Sequence, residues 1–286
     1  QIIQTRKELM MEKEKKKINY KRLMSGLIGF PLIAVLLIFA NNTVMDVAMA
    51  VISMVGLYEY YNCFKSTKKA SPSMWYGMIV SLLLIGAHRC SDTALKEIII
   101  MIIPLSILIL MVEMVLSKGK KNIVDIIVTL FGICYIPLLL LFMSLVRGSY
   151  GKVLIWYVLL ASWGSDIFAY LIGKNIGKHH FTEISPNKTV EGSVAGIVGA
   201  IVISLIYTVI MNNIYNMQIS LVMVAIIILI LSFIGQIGDL TASAVKRYCG
   251  IKDFSELIPG HGGMLDRIDS VILVAPFAYI LLGLLI

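Results

Sequence analysis

Nine apolar runs, at residues 23–40, 44–61, 74–88, 97–116, 123–146, 153–172, 190–211, 219–238 and 270–286, are joined by polar connectors that are mostly short. Each run approaches the roughly 20 residues that carry an α-helix across a hydrocarbon core about 30 Å thick. The bilayer interior has no water to satisfy backbone N–H and C=O groups, so such runs bond internally as helices. The expected fold is an all-α polytopic membrane protein with about nine transmembrane helices. Composition agrees: 58% of residues are hydrophobic and 15% charged, against about 25% charged in an ordinary soluble domain. A chain of 286 residues used in this way leaves no room for a separate soluble domain of about 100 residues. Helices and loops must supply the whole functional apparatus.

Three regions follow: a polar basic arm (1–22), an N-terminal set of five spans (23–150), and four spans (151–286) that carry the polar loops 173–189 and 239–269. The chain opens on Gln1, and a start-like MEKEKKK run begins at Met11, so residues 1–10 read as a remnant without functional weight. The first apolar run exceeds a usual signal-peptide core and is followed by Asn41 and Asn42 rather than small residues, which reads as a retained anchor.

Orientation follows from where the lysines and arginines fall. The arm is basic, the 41–43 turn has neither residue, and the next connector has Lys65, Lys68 and Lys69, followed by one with only Arg89 and Lys96. Lys118, Lys120 and Lys121 then precede Arg147 and Lys152; Lys174, Lys178 and Lys188 precede the uncharged NNIYNMQ; the last connector is basic again. Under the positive-inside rule the N-terminus is cytoplasmic, the C-terminus is outside, and loops 173–189 and 239–269 share the cytoplasmic face. The net charge of +8 thus suits anionic headgroups and phosphates; no aromatic-interleaved basic surface points to nucleic acid. Cys63, Cys90, Cys134 and Cys249 have no metal-site or disulfide spacing. Pro31, Pro104 and Pro137 fall inside runs and are expected to kink them.

Asp46, Glu59, Glu113 and Asp125 lie near run ends and are expected to be solvated, whereas Asp166 and Asp239 lie deeper. An ionisable group at depth costs several kcal/mol unless paired, hydrated or metal-bound, and so marks a functional candidate. If the helix carrying Asp239 continues through Lys246, then Asp239, Ser243, Lys246 and Arg247 share one face. A carboxylate, a hydroxyl and two cations so arranged suit a metal-held polyphosphate, with Asp266 completing a magnesium site with Asp239. Arg267 would meet developing charge, and Asp269 follows two residues later. In PGHGG, Gly262 and Gly263 allow backbone amides to approach an anion, and His261 reads as a phosphate donor or loop-structuring residue rather than a base. In the other loop, Ser185, Lys188, Thr189 and Glu191 place hydroxyls, a cation and a carboxylate at a span entrance. Ser185 or Thr189 reads equally well as a helix cap. Gly173, Lys174, Gly177 and Lys178 do not form the GxxxxGK[ST] pattern of a nucleotide cradle.

The stretch SAVKRYCGIKDFSELIPGHGGMLDRID, Ser243 to Asp269, resembles the long signature of the phosphatidate cytidylyltransferases, or CDP-diacylglycerol synthases. SPNKTVEG and SDIFAYLIGK look like that family's other loop, with Asn187 where a second lysine is expected; GLYEYY at 56–61 is also similar. The resemblance covers 156–286 well and the earlier spans loosely. It implies an integral membrane enzyme that condenses CTP with phosphatidic acid to give CDP-diacylglycerol and pyrophosphate. It also implies magnesium as a cofactor, a potassium ion nearby, a homodimer, and a membrane-embedded site open to the cytoplasm. Two alternatives remain beside it: a CTP-dependent lipid-alcohol kinase, and a transporter built on the intramembrane acids, although no transporter-type repeat is evident. The DGxxAR…GxxxDxxxD pattern of CDP-alcohol phosphotransferases is absent.

Overall fold

The computed structural model describes residues 33–87, 92–180, 182, 184–186, 188–258, 260 and 262–285. Most of the expected first span, with Pro31, Arg89, Cys90, Asn187, Pro259 and His261, lies outside the described residues. Residues 33–39 are helical, and Asn41 then caps α1 (Asn42–Ser66) by accepting from the Val44 amide at 2.9 Å. There follow α2 (Met74–Ala87), α3 (Asp92–Leu116), α4 (Ile123–Tyr135), α5 (Pro137–Leu154) and α6 (Trp156–Leu159). A π-helical turn (Leu160–Gly164) leads into α7 (Ser165–Ile176), and α8 (Val190–Tyr215), α9 (Leu221–Cys249) and α10 (Leu265–Leu282) complete the order. Among the described residues no strand forms; there are two isolated bridges, His180 with Thr189 and Ile258 with Gly262.

Six of the described helical segments are long and apolar enough to cross a membrane: Asn42–Ser66, Lys96–Leu116, Ile123–Leu154, Val190–Tyr215, Leu221–Cys249 and Leu265–Leu285. The expected count of nine differs for physical reasons beyond the undescribed first span. The 14 residues of α2 reach only about 21 Å at a rise of about 1.5 Å each. The expected run 153–172 is interrupted by the π turn. Pro137 does not kink a continuous helix but starts α5 at its first turn, where a missing N–H costs nothing. The connector expected near 147–152 is a break at Gly151, whose φ of 77° and ψ of −165° suit glycine. Pro104 does lie inside α3.

The helices form a chain of packed neighbours: α7 along α8, α8 on α9, α9 on α10, α10 on α5, and α5 on α1, which also carries α2. The tightest approach is α7 to α8. A Cβ at Gly196 would stand 2.6 Å from the Ser165 carbonyl oxygen, so the helices close to backbone contact only because α8 presents small residues there. The opposite surfaces are oily: Phe39, Trp75, Met101, Val115 and Ile280 are exposed. Such faces would be a liability in water and are the expected contact with acyl chains.

Three of the four acids expected at solvated ends are buried. Asp46, Glu59 and Asp125 lie inside, while Glu113 is half-buried. Asp125 starts α4 in a reciprocal capping box with Asn122 and also accepts from the Ser71 amide. Glu113 accepts from Ser73 Oγ at 2.6 Å and lies 3.7 Å from Lys121 Nζ. These acids use their span-end positions to fasten neighbouring connectors together. Arg147, expected in a loop, is buried and donates to the Ala40 carbonyl at 2.7 Å.

Candidate active site

Helix α9 does run unbroken past Lys246, so Asp239, Ser243, Lys246 and Arg247 occupy one face of its last turns. The end is set by Gly250, at φ 73°: its amide donates to the Arg247 carbonyl at 3.0 Å and the Ile251 amide to that of Lys246 at 3.0 Å. That paired geometry is a Schellman cap, and it turns the chain back over the cationic end of the helix.

The returning segment closes on Asp266 in the first turn of α10. Lys246 Nζ donates to Asp266 Oδ1 at 2.6 Å, and Asp266 Oδ2 accepts from the Phe254 and Gly263 amides, each at 2.9 Å. Both side chains are nearly buried, at 11% and 3% exposed, and Lys246 Nζ sits 5.4 Å from the centre of the Phe254 ring. A buried pair of this kind holds only where hydrogen bonds satisfy what burial has stripped of water, and the two amides do that. The middle of the stretch thus gains a role. Phe254 supplies an amide and a ring to the pair, while Lys252 and Asp253 are exposed.

Asp239, half-buried two turns before Lys246 on the same face of α9, is ion-paired with Lys188 from the loop before α8. That contact joins the two polar loops, and Arg247 adds a second by donating to the Ile184 carbonyl at 3.4 Å and the Ile251 carbonyl at 3.1 Å. Asp166 follows the π turn, an irregularity frequent at functional sites, and accepts from Ser270 Oγ at 3.2 Å. Asp269 is buried, with Oδ1 accepting from the Ser270 amide at 2.8 Å. Asp166, Asp239 and Asp269 lie close enough to act on one another's charge, and Lys188, Lys246 and Arg267 counter it. Arg267 is exposed at the start of α10, and its carbonyl accepts from Trp163 Nε1 at 3.1 Å, tying α10 to the π turn.

The remaining candidates have the following places in the structure. Thr189 Oγ1 caps α8 by accepting from the Gly192 amide at 3.2 Å. Glu191 Oε1 lies 2.6 Å from His179 Nδ1, and its other oxygen accepts the Lys178 and His179 amides. Ser185 closes a turn, its carbonyl accepting from the Lys188 amide at 3.0 Å. Ser243 is buried on the α9 face. The Gly262 carbonyl accepts from Ile258 at 2.8 Å, and Gly263 spends its amide on Asp266. His261 lies outside the described residues.

Two residues not expected at the site from the sequence hold this assembly. Gln236 donates to Ser165 Oγ at 3.1 Å and to the Ser193 carbonyl at 2.9 Å and accepts from Ser193 Oγ, joining α7, α8 and α9. Glu59 of α1 accepts from Ser255 Oγ at 2.5 Å and from the Met264 and Leu265 amides at 3.0 and 2.7 Å. Glu59 and Ser255 also edge a cavity of about 440 Å³ whose other walls are Met54, Val55, Tyr58, Met78 and Leu257. That lining is mainly apolar and suits hydrocarbon rather than phosphate.

Magnesium asks for hard oxygens, usually one or two carboxylates with waters and phosphate oxygens rather than a closed protein cage. Among the described residues no three His, Cys, Asp or Glu side chains converge as a self-sufficient metal cage. Asp239 is half-exposed beside further acids. Asp266 has three of its roughly four lone-pair directions filled and one left on Oδ1. This donor set fits magnesium completed by substrate.

A profile of the Cytidylyltransferase family matches residues 20–285. The chain belongs to that family. Among similar proteins, a phosphatidate cytidylyltransferase of Staphylococcus haemolyticus is 30% identical over 265 residues, which span 91% of this chain and 98% of that one. One from Staphylococcus saprophyticus is 38% identical over 193 residues, 67% of this chain and 70% of the relative. A Bacillus subtilis phosphatidate cytidylyltransferase is 43% identical over 137 residues, about half of each chain (48% and 49%). Family membership therefore rests on nearly the whole length, including α1 and α2, where the sequence resemblance was loosest.

Proposed function

We propose that this protein is an integral membrane phosphatidate cytidylyltransferase, condensing CTP with phosphatidic acid to CDP-diacylglycerol and pyrophosphate. The observation that carries the reading is the joining of both polar loops through the Lys188–Asp239 ion pair, beside the Lys246–Asp266 pair within 239–269, in a chain of this family. A phosphate oxygen of phosphatidate, already ionised at neutral pH, attacks the α-phosphorus of CTP. The new P–O bond forms as the bond to the β-phosphate oxygen breaks, and pyrophosphate departs with the electron pair. Little proton transfer is needed, so the protein's work is positioning and charge neutralisation.

Lys188, Arg247 and Arg267 would hold phosphate oxygens, with Ser243 on the same α9 face. Lys246 fixes the Asp266 carboxylate, and Trp163 and Ser270 orient Arg267 and Asp166. Asp239 and Asp266 would hold magnesium, with Asp269 and Asp166 adding negative potential; the metal supplies charge neutralisation at the phosphates. Potassium beside these acids and a homodimer are further parts of the reading. So is the sidedness, with a cytoplasmic N-terminus, an outside C-terminus and both polar loops at the cytoplasmic surface, supported by the lysine and arginine asymmetry.

Purified protein supplied with labelled CTP, phosphatidic acid and magnesium should release pyrophosphate and form CDP-diacylglycerol in equal amounts. Both should stop with chelator and return with magnesium. Formation of CDP without pyrophosphate would replace this reading with a lipid-alcohol kinase, and turnover unaffected by chelator would remove the metal from it.

A further inference from the structure

Two acids of the site, Asp266 and Asp269, sit on α10, and the start of that helix is held in part by a residue from outside its own segment. Met264, the residue before it, makes no side-chain cap, and the first amides of a helix need acceptors. Glu59 supplies them from more than 190 residues away in sequence. It is 2% exposed near the end of its apolar run, and its carboxylate takes the Met264 and Leu265 amides together with Ser255 Oγ. A carboxylate at a helix N-terminus is also favoured by the aligned peptide dipoles. Gly263 is pressed so closely to it that a Cβ there would lie 2.6 Å from Glu59 Oε2. The fit leaves one position for Gly263 and for the start of α10.

Asp266 works from the other side of the same segment. It takes the Phe254 and Gly263 amides, so Phe254, Ser255 and Gly263 to Leu265 are held between two buried carboxylates, one on α1 and one on α10. Of these, Glu59 belongs to a different part of the chain and ties the start of α10 to α1. We propose that Glu59 is a positioning residue for the reaction: it seats the loop 250–264 and the first turn of α10, and thereby places Asp266, Arg267 and Asp269. This inference rests on the cytidylyltransferase reading for its kinetic consequence, but the seating itself is independent of the reaction.

Glu59→Gln tests it. The amide keeps the size and one acceptor oxygen, but it turns an NH2 toward one of three donors. Hydrogen–deuterium exchange should accelerate across residues 254–266 while α8 is unchanged. Turnover should fall on the order of 10²-fold, as for a reacting group displaced by about 1 Å, with a raised magnesium requirement and a smaller change in KM for CTP. Ser255→Ala, which removes one of the three donors, should shift both readouts in the same direction by less, and the double variant should be no worse than Glu59→Gln alone. Asp125→Asn serves as the control, since it removes a buried helix-start carboxylate in α4; it should lower thermal stability without altering the magnesium response.

Wild-type exchange in the Glu59→Gln loop, or normal turnover and magnesium response in that folded variant, would overturn the proposal. So would an equal magnesium shift in Asp125→Asn. If the wild-type protein made no CDP-diacylglycerol, the functional reading would fall, and unchanged loop exchange in Glu59→Gln would separately refute the seating.

Discussion

Replacing Asp266 by Asn separates the two jobs of the Lys246–Asp266 pair. The variant keeps the shape of the side chain, but Lys246 is left as a buried cation 2.6 Å from a neutral group, and one of three donors loses its acceptor. Breaking a buried pair by removing one partner costs about 3–5 kcal/mol. That cost belongs mainly to the stranded charge. Removing the other charge as well, in Asp266→Asn/Lys246→Met, should therefore recover most of the stability, because apolar replacement of a buried pair is often close to neutral. Activity should behave differently. Asp266→Asn should be folded in detergent yet without measurable turnover, and the double variant should stay inactive despite its restored stability. Thermal unfolding followed by tryptophan fluorescence and CTP-dependent pyrophosphate release measure the two quantities on the same samples. Near-normal turnover in Asp266→Asn would refute the role of this carboxylate in the site. Failure of Lys246→Met to restore stability would refute the account of the buried charge.

Other outcomes follow from the same geometry. Lys188→Met removes a partly exposed ion pair worth about 0–1 kcal/mol, so unfolding should hardly change while KM for CTP rises severalfold; an unchanged KM would remove Lys188 from phosphate binding. Gly196→Ala places a methyl group against the Ser165 carbonyl oxygen, at 2.6 Å before any relaxation. Overpacking of this kind costs about 1–3 kcal/mol, and because α7 carries Asp166, turnover should fall along with thermal stability. A variant as stable and active as wild type would show that α7 and α8 separate freely.

Much of the fold was legible because its driving force is local. An apolar run long enough to span a bilayer must form its hydrogen bonds within itself, so helix positions could be read along the chain. That Asp239, Ser243, Lys246 and Arg247 share one face followed from helical spacing on the condition that the helix runs on past Asp239, which α9 does. The Thr189 cap was one of two readings left open by its place before α8, and Oγ1 does accept from the Gly192 amide. The acids at run ends were harder. Distance from a span end says whether a carboxylate could reach water, and for Asp46, Glu59 and Asp125 packing of neighbouring helices closed that route.

By itself, the sequence determined the membrane class, the helical character, the family signature and the identity of the charged groups, since each depends on composition or spacing within one segment. Tertiary structure decided which charges meet. Glu59 reaches Ser255, Met264 and Leu265 across separations of 196 to 206 residues, and Lys188 reaches Asp239 from another loop. A hydrogen bond between distant segments has no periodicity to betray it. It exists only once helix packing has brought donor and acceptor together and removed the water that would otherwise satisfy both.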